Sequence, residues 1–329
     1  MNRRTAGSVI ALFAVIGVAA AVTISRRGSG EEPTNAPPAA PTGSVSELVL
    51  FVVENPTEPL VAVVASTSDG ESRAVVIPAN LPITIPGQGE GLVSDIVGES
   101  GRPGQVAISN MLGLWVDHHA VTDLAHLSAV IDRAGGLEIG GITRTGPETI
   151  ASLQAGQGGS AAWETVVAGL LSSGAAWEPS DFLEVDAVEK VSAILGAGGR
   201  PVVEQLPTRV SAGGQEEPDD ERIGPALTTM LGAPSRPIVP VTVLNGSGAP
   251  GVGEAVAERI VSQGYRVVVS ENASTFDQVE TLIVVATEAE RQLAEHVRDL
   301  LGVGQVVVSG PPSGISQVTI VVGKDFGTG

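Results

Sequence analysis

Ile238-Val239-Pro240-Val241-Thr242-Val243-Leu244 runs into Asn245-Gly246-Ser247-Gly248-Ala249-Pro250-Gly251, and then into Val252-Gly253-Glu254-Ala255-Val256-Ala257-Glu258-Arg259-Ile260. The first run is rich in β-branched residues and predicts a strand. The second, with three glycines and a proline, predicts a turn. In the third, Val252, Val256 and Ile260 share one helical face with Ala255 beside them, and Gly264 supplies the stop. Beyond it, Tyr265 to Val269 and Thr281 to Val285 predict strands. Glu288 to Leu301 predicts an amphipathic helix with Leu293, Val297, Leu300 and Leu301 toward the sheet. Strands at Gln305 to Val308 and Val318 to Val322 finish the pattern. The order β-α-β-β-α-β-β fits a small two-layer α/β sandwich over residues 238–326.

Upstream, residues 211–237 carry Gln215-Glu216-Glu217-Pro218-Asp219-Asp220-Glu221 and then Pro225 and Pro234. This composition reads as an acidic, Pro-rich linker with a short helix around Pro225 to Leu231. Residues 45–210 read as a second, mixed α/β domain. Leu48 to Val53, Leu60 to Ala65 and Ala74 to Ile77 predict an antiparallel meander, with Ser68-Asp69-Gly70 as a turn. Gln105 to Leu112, Leu124 to Ala134, Ala161 to Leu171 and Ala187 to Leu195 predict helices. Residues 28–44 are Pro-, Ala- and Gly-rich, a semi-extended tether with no core to bury. Residues 1–27 contain an uncharged run from Thr5 to Ser25, roughly 20 residues, enough to cross a hydrocarbon core about 30 Å thick. A transmembrane anchor with the rest of the chain extracytoplasmic is the expectation. A cleaved signal peptide is the rival, with Ala19-Ala20-Ala21 as its small-residue site.

Charge narrows the function. All four basic residues before Gly30 flank the apolar run, and from Glu31 onward 14 basic residues face 37 acidic ones. Nucleic acid is excluded as a partner, since phosphate binding relies on concentrated Lys and Arg. With no cysteine in 329 residues, disulfides, thiolate zinc sites and thiol catalysis are excluded too.

Two stretches carry family resemblances. Ile108-Ser109-Asn110-Met111-Leu112-Gly113-Leu114-Trp115-Val116-Asp117-His118-His119, then Asp123-Leu124 and Val130-Ile131-Asp132-Arg133-Ala134-Gly135-Gly136-Leu137-Glu138-Ile139, resemble the LytR-CpsA-Psr family. Val76-Ile77-Pro78-Ala79-Asn80 and Ile85-Pro86-Gly87 are similar to that family's strand and loop. The resemblance implies transfer of anionic glycopolymers from polyprenyl-pyrophosphate carriers onto peptidoglycan. It also implies an arginine and an aspartate where this chain has Ala79 and Asn80, and an arginine-rich stretch downstream. Gln154 to Pro179 contains no Arg or Lys at all. Phosphoryl transfer depends on positioned cations and metal to stabilise spreading negative charge. A degenerate pyrophosphate site at Ala79 and Asn80, with no catalytic residue, is the expectation.

Val241 to Gly248 with Gly251, the Gly264-Tyr265 step and Val321-Val322-Gly323-Lys324-Asp325-Phe326 resemble the LytR C-terminal domain, over nearly all of 238–326. The candidate binding loop is Asn245, Gly246, Ser247, Gly248 and Gly251, where backbone N–H groups at a helix start could receive an anionic or carbonyl group. Gly246, Gly248 and Gly251 also satisfy a dinucleotide fingerprint, with Glu271 about 20 residues on. A second strand that leads straight into a third opposes that reading, and without Gly-Lys-Ser/Thr the loop is no P-loop. No cofactor is expected. His118, His119 and His126 beside Asp117 and Asp123 form no expected metal site, because adjacent histidines on a strand point to opposite faces. Trp115, Trp163 and Trp177 read as core residues before sugar platforms.

Two function classes follow. One is a non-catalytic, membrane-anchored binding or scaffolding protein of cell-envelope assembly, with a cell-wall polymer, a polyprenyl lipid or envelope-assembly proteins as partners. The other is an active glycopolymer transferase that draws its cations from Arg73, Arg102, Arg133 or Arg144.

Overall fold

The computed structural model describes residues 45–55, 57–68, 70–99, 101–155, 159–232, 238–309 and 315–327. The expected anchor and tether, residues 1–44, lie outside them. Among the described residues no helix is long and apolar enough to cross a membrane.

Three strands, β1 (Val45–Glu54), β2 (Leu60–Thr67) and β3 (Ser72–Ile77), form the predicted antiparallel meander. Their runs are apolar at successive positions because both faces of this sheet are covered. After β3 come a hairpin, β4 (Pro82–Ile85) with β5 (Gly89–Leu92), and then α1 (Arg102–Leu112). The chain returns in β6 (His118–Asp123), parallel to β1, and enters α2 (Leu124–Arg133). A second hairpin, β7 (Leu137–Ile139) with β8 (Ile142–Arg144), precedes α3 (Gly146–Gln154) and α4 (Gly159–Ser173). Then follow β9 (Glu184–Val185), α5 (Val188–Leu195) and β10 (Val202–Gln205), which completes a six-stranded sheet in the order β10-β3-β2-β1-β6-β9. Leu48, Leu50, Val52, Val61 and Val63 pack on the α1 side of the sheet. Val49, Phe51, Val53, Ala62 and Val64 pack on the other side, against α2, α4 and α5.

The expected linker over 211–237 is corrected by its described part. β11 (Thr208–Val210) pairs with β12 (Glu216–Pro218), and α6 (Asp220–Leu231) follows at once. Ile223, Leu227, Met230 and Leu231 of α6 are buried in the middle domain's core, on the α1 side. The acids that suggested a solvated tether, Asp220 and Glu221, sit in the first turn of α6, where the helix dipole favours negative charge.

The C-terminal module follows the predicted order: β13 (Val239–Asn245), α7 (Val252–Ile260), β14 (Tyr265–Asn272), β15 (Leu282–Val285), α8 (Arg291–Leu301), β16 (Gln305–Val308) and β17 (Val318–Val322). Its sheet runs β14-β13-β17-β15-β16, with β13 parallel to both of its neighbours. Val241, Val243, Ile283, Val285, Val318, Ile320 and Val322 bury against Val252, Val256 and Ile260 of α7 and Ala294, Val297 and Leu301 of α8. Leu293 and Leu300, expected to face the sheet, pack against this cluster while partly buried, and Ala294 joins Val297 and Leu301 as the fully buried positions of α8.

The module shares its core with the middle domain. Val106 of α1 belongs to the module's apolar cluster, and Trp115 packs against it. From Gly104 to Leu112 every residue of α1 is buried, since one side meets the six-stranded sheet and another meets α7 and β14. The polar residues this forces inside are all hydrogen-bonded, as burial requires. Gln105 donates to the Val116 carbonyl at 2.6 Å, Ser109 accepts from the Val116 N–H at 3.0 Å, and Asn110 bonds to Val267.

Candidate functional site

The candidate loop is organised by Asn245. Its Oδ1 accepts from the Ser247 N–H at 3.2 Å, the Ser247 hydroxyl at 3.0 Å and the Gly248 N–H at 3.0 Å, while its Nδ2 donates to the Ala249 carbonyl at 2.8 Å. Ser247 Oγ then accepts from the Ala249 N–H, and the Gly246 N–H bonds to the Val322 carbonyl. Of the loop donors expected to receive an anionic group, the N–H groups of Gly246, Ser247 and Gly248 are thus bonded inside the fold, while Gly251 stays exposed at the start of α7. Gly248 takes φ 78° with the Phe276 ring packed beside it, and Gly251 takes φ 74° to start α7.

The first turn of α7 meets the middle domain at one point. A Cβ on Gly253 would lie 2.3 Å from the Gly87 nitrogen and 2.6 Å from its Cα, so the backbones touch there. Ser270 Oγ accepts from the Gly87 N–H at 2.7 Å. The turn between β4 and β5 therefore packs on the first turn of α7 at Gly253, while Gly251, where the helix starts, stays exposed.

Beside this contact lies an open cleft of about 780 Å³ between the β4–β5 turn and the Asn245-to-Gly251 loop. Gln88, Glu90, Glu271, Asn272 and the half-exposed Phe276 supply its side-chain chemistry, and no Lys or Arg lines it. Such walls offer amide and carboxylate partners plus one aromatic face. They favour neutral polar or amine-bearing ligands and repel phosphate.

In the middle domain, Ala79 and Asn80 lie in the turn after β3, half-buried and exposed respectively, with the Ala79 carbonyl accepting from the Ser94 N–H. Three of the four arginines proposed as replacement cations serve elsewhere. Arg73 is buried and bonds to Glu71 at 2.8 Å and to the Thr229 carbonyl at 3.3 Å. Arg102 pairs with Glu258 of α7 at 2.6 Å and lies over the Trp115 ring. Arg133 is locked to buried Asp181 and to the Ala176 carbonyl. Arg144 sits at a small cavity between β8, α3 and α4.

Residues 238–326 match the family model described as LytR cell envelope-related transcriptional attenuator. They form a LytR C-terminal domain. No curated protein matches the chain. Among solved structures, a LytR-Csp2A-Psr enzyme from Actinomyces oris is similar at 16% identity and TM-score 0.47, over 61% of this chain and 97% of that one. TagU of Bacillus subtilis is similar at 14% identity and TM-score 0.43, over 55% and 93%. A LytR-CPS2A-psr family protein, TagT, with bound octaprenyl pyrophosphate lipid is similar at 14% identity and TM-score 0.45, over 63% and 95%. Likenesses this distant say nothing of activity.

The histidines depart from the expected geometry. His118 and His119 do leave β6 on opposite sides, yet Asp186 lies 3.6 Å from one and 3.7 Å from the other. His118 also meets Glu47 at 3.1 Å, and His119 meets Glu184 and the Gln105 Oε1, each at 3.3 Å. His126 bonds to Asp123, the N-cap of α2. Burial pushes the Asp123 carboxyl up, but the His126 hydrogen bonds outweigh it and hold it below the usual range.

Trp163 and Trp177 are core residues, as read. Trp163 Nε1 donates to the Glu58 carbonyl, and Trp177 lies between Phe51 and Phe182, 5.4 Å from each ring. The cleft's aromatic is Phe276, which sequence reasoning missed because it is a single apolar residue in a polar run. Asn245 was legible: Asn at a strand end before Gly-Ser-Gly is an Asx-turn signature.

Proposed function

We propose that this chain is a non-catalytic, membrane-anchored binding or scaffolding protein of cell-envelope assembly. The cleft beside the LytR C-terminal domain's first loop is its binding site. The observation that carries the reading is the fate of the arginines: Arg73, Arg102 and Arg133 are each held by an acidic partner and spent on the fold. With Ala79 and Asn80 at the degenerate position, a diphosphate meets no arginine of the implied kind there. Transition-state charge in phosphoryl transfer then goes unstabilised.

The cleft's chemistry points to a neutral or amine-bearing segment of the wall, saccharide or peptide, with Phe276 as its stacking face. The test is sedimentation of the full-length protein, in detergent, with isolated cell wall. Phe276→Ala should reduce the bound fraction severalfold while leaving the unfolding midpoint unchanged. Equal binding by both proteins would remove the cleft from the reading.

Membrane attachment through the Thr5 to Ser25 run, with the remainder outside, belongs to the same proposal. Protease added to intact spheroplasts should digest the residues beyond Gly30. Protection of those residues, while an external control protein is cut, would reverse the topology.

A further inference from the structure

A cavity of about 170 Å³ lies between the β7–β8 hairpin and helices α3 and α4. Ile139, Leu153, Ala162 and Val166 form one wall, and Thr149, Ser152, Thr165 and Arg144 supply as much polar lining. None of its lining residues belongs to the turn that carries Ala79 and Asn80, nor to the cleft beside the C-terminal domain. The local sequence builds it directly. Gly140 and Gly141, at φ 63° and 79°, turn β7 back into β8, which ends on Arg144. Thr145 then caps α3 in a reciprocal capping box with Glu148.

Arg144 is the unusual member. Its Nε is buried with no hydrogen-bond partner, and its guanidinium makes no ion pair among the described residues. Arg144 as a whole is half-buried, but its Nε donor is cut off from solvent, and a native fold seldom leaves a buried donor without a partner. Glu148 does not fill that role. Its carboxylate accepts from the Thr145 N–H at 2.9 Å and the Thr145 hydroxyl at 3.0 Å. These bonds hold it below the usual carboxylate range, with Arg144 adding a smaller pull.

We infer that this cavity is a binding site for a small amphiphile with one carboxylate head, its apolar body among Ile139, Leu153, Ala162 and Val166 and its head on Arg144. Size sets the class: the volume is close to the roughly 150 Å³ that holds a benzene-sized guest, a body of about six carbons, and the half-polar lining suits a guest that also carries a polar head. Charge sets the head. The single guanidinium of Arg144 matches one negative charge, and Glu148, whose carboxylate is held by Thr145, disfavours a second, whereas a diphosphate needs several cations. A planar guanidinium also matches a carboxylate through two parallel bonds.

Hexanoate is the probe, and hexan-1-ol is its uncharged twin. Isothermal titration of the full-length protein with hexanoate should show saturable binding. Arg144→Gln should weaken it at least tenfold and leave hexan-1-ol binding unchanged. Ala162→Leu narrows the cavity without touching the charge and should abolish binding of both probes. Circular dichroism confirms that each variant is folded, and should Arg144→Gln fail to fold, Ala162→Leu decides alone. No saturable hexanoate binding by the parent protein would overturn the assignment. So would equal hexanoate affinity in the parent and Arg144→Gln, or unchanged binding in Ala162→Leu.

Discussion

Asn110 grips the backbone of Val267 with both ends of its amide: Oδ1 accepts from the Val267 N–H at 2.7 Å, and Nδ2 donates to the Val267 carbonyl at 2.8 Å. β14 is an edge strand, and an edge strand presents unpaired backbone groups. The side chain of Asn110 pairs two of them, as a neighbouring strand would. It thereby ties α1 of the middle domain to the C-terminal domain's sheet. Asn110→Ala leaves both Val267 groups buried and unpaired, each worth about 1–3 kcal/mol. We expect a fall in stability on the order of 2–4 kcal/mol by urea titration. A loss within error would show that water replaces the amide at no cost.

Gly253→Ala sets two effects against each other. Alanine is the better helix former by about 1 kcal/mol, which alone would stabilise α7. Its Cβ, however, would lie 2.3 Å from the Gly87 nitrogen and 2.7 Å from Ser270 Oγ. We expect the clash to dominate, with lower stability and faster proteolysis at the β4–β5 turn. A higher unfolding midpoint with an uncut turn would mean that the two backbones do not meet in solution.

The strands and helices of the C-terminal domain were legible because their periods alternate cleanly and glycines such as Gly264, at φ 90°, mark the ends. What joins the domains was not. Asn110 and Val267 lie 157 residues apart, and nothing near Asn110 distinguishes it from an ordinary helix-face residue. The helix around Pro225 to Leu231 was legible, but its start at Asp220 and its place in the core were not: Asp219-Asp220-Glu221 and Pro225 look like a solvated tether unless the following Leu227, Met230 and Leu231 are given a core to enter. At the site, Asn245 could be read from its neighbours, and the arginines could be named. Their partners could not, since Arg102 meets Glu258 across 156 residues.

Glu164 of α4 should make stability depend on pH. Burial, and then the charge of Glu204, raise its carboxyl above the ordinary 4.5. The folded state therefore disfavours the charged form. Below the unfolded value, about pH 4, both states are protonated and there is no penalty. The penalty develops as pH rises through the unfolded and then the folded value, and it persists above both. Glu164→Gln should raise the urea midpoint at pH 7, with the gain vanishing below about pH 4. An equal gain at both pH values would assign the effect to packing.

Restoring the missing pair, Ala79→Arg with Asn80→Asp, should create measurable binding of inorganic pyrophosphate by calorimetry. Turnover should stay absent, because Gln154 to Pro179 still carries no Arg or Lys. Turnover by the double variant would show that the two positions were the whole deficit.

The most direct test of the non-catalytic reading is release of polyprenyl phosphate by the unmodified full-length protein. The assay supplies a polyprenyl-pyrophosphate-linked glycopolymer, peptidoglycan acceptor and Mg²⁺, and follows the lipid product by mass spectrometry. We expect release no faster than in the protein-free control, because Arg73, Arg102 and Arg133 are held by Glu71, Glu258 and Asp181. Mg²⁺-dependent release above that control would contradict it and make the chain a transferase.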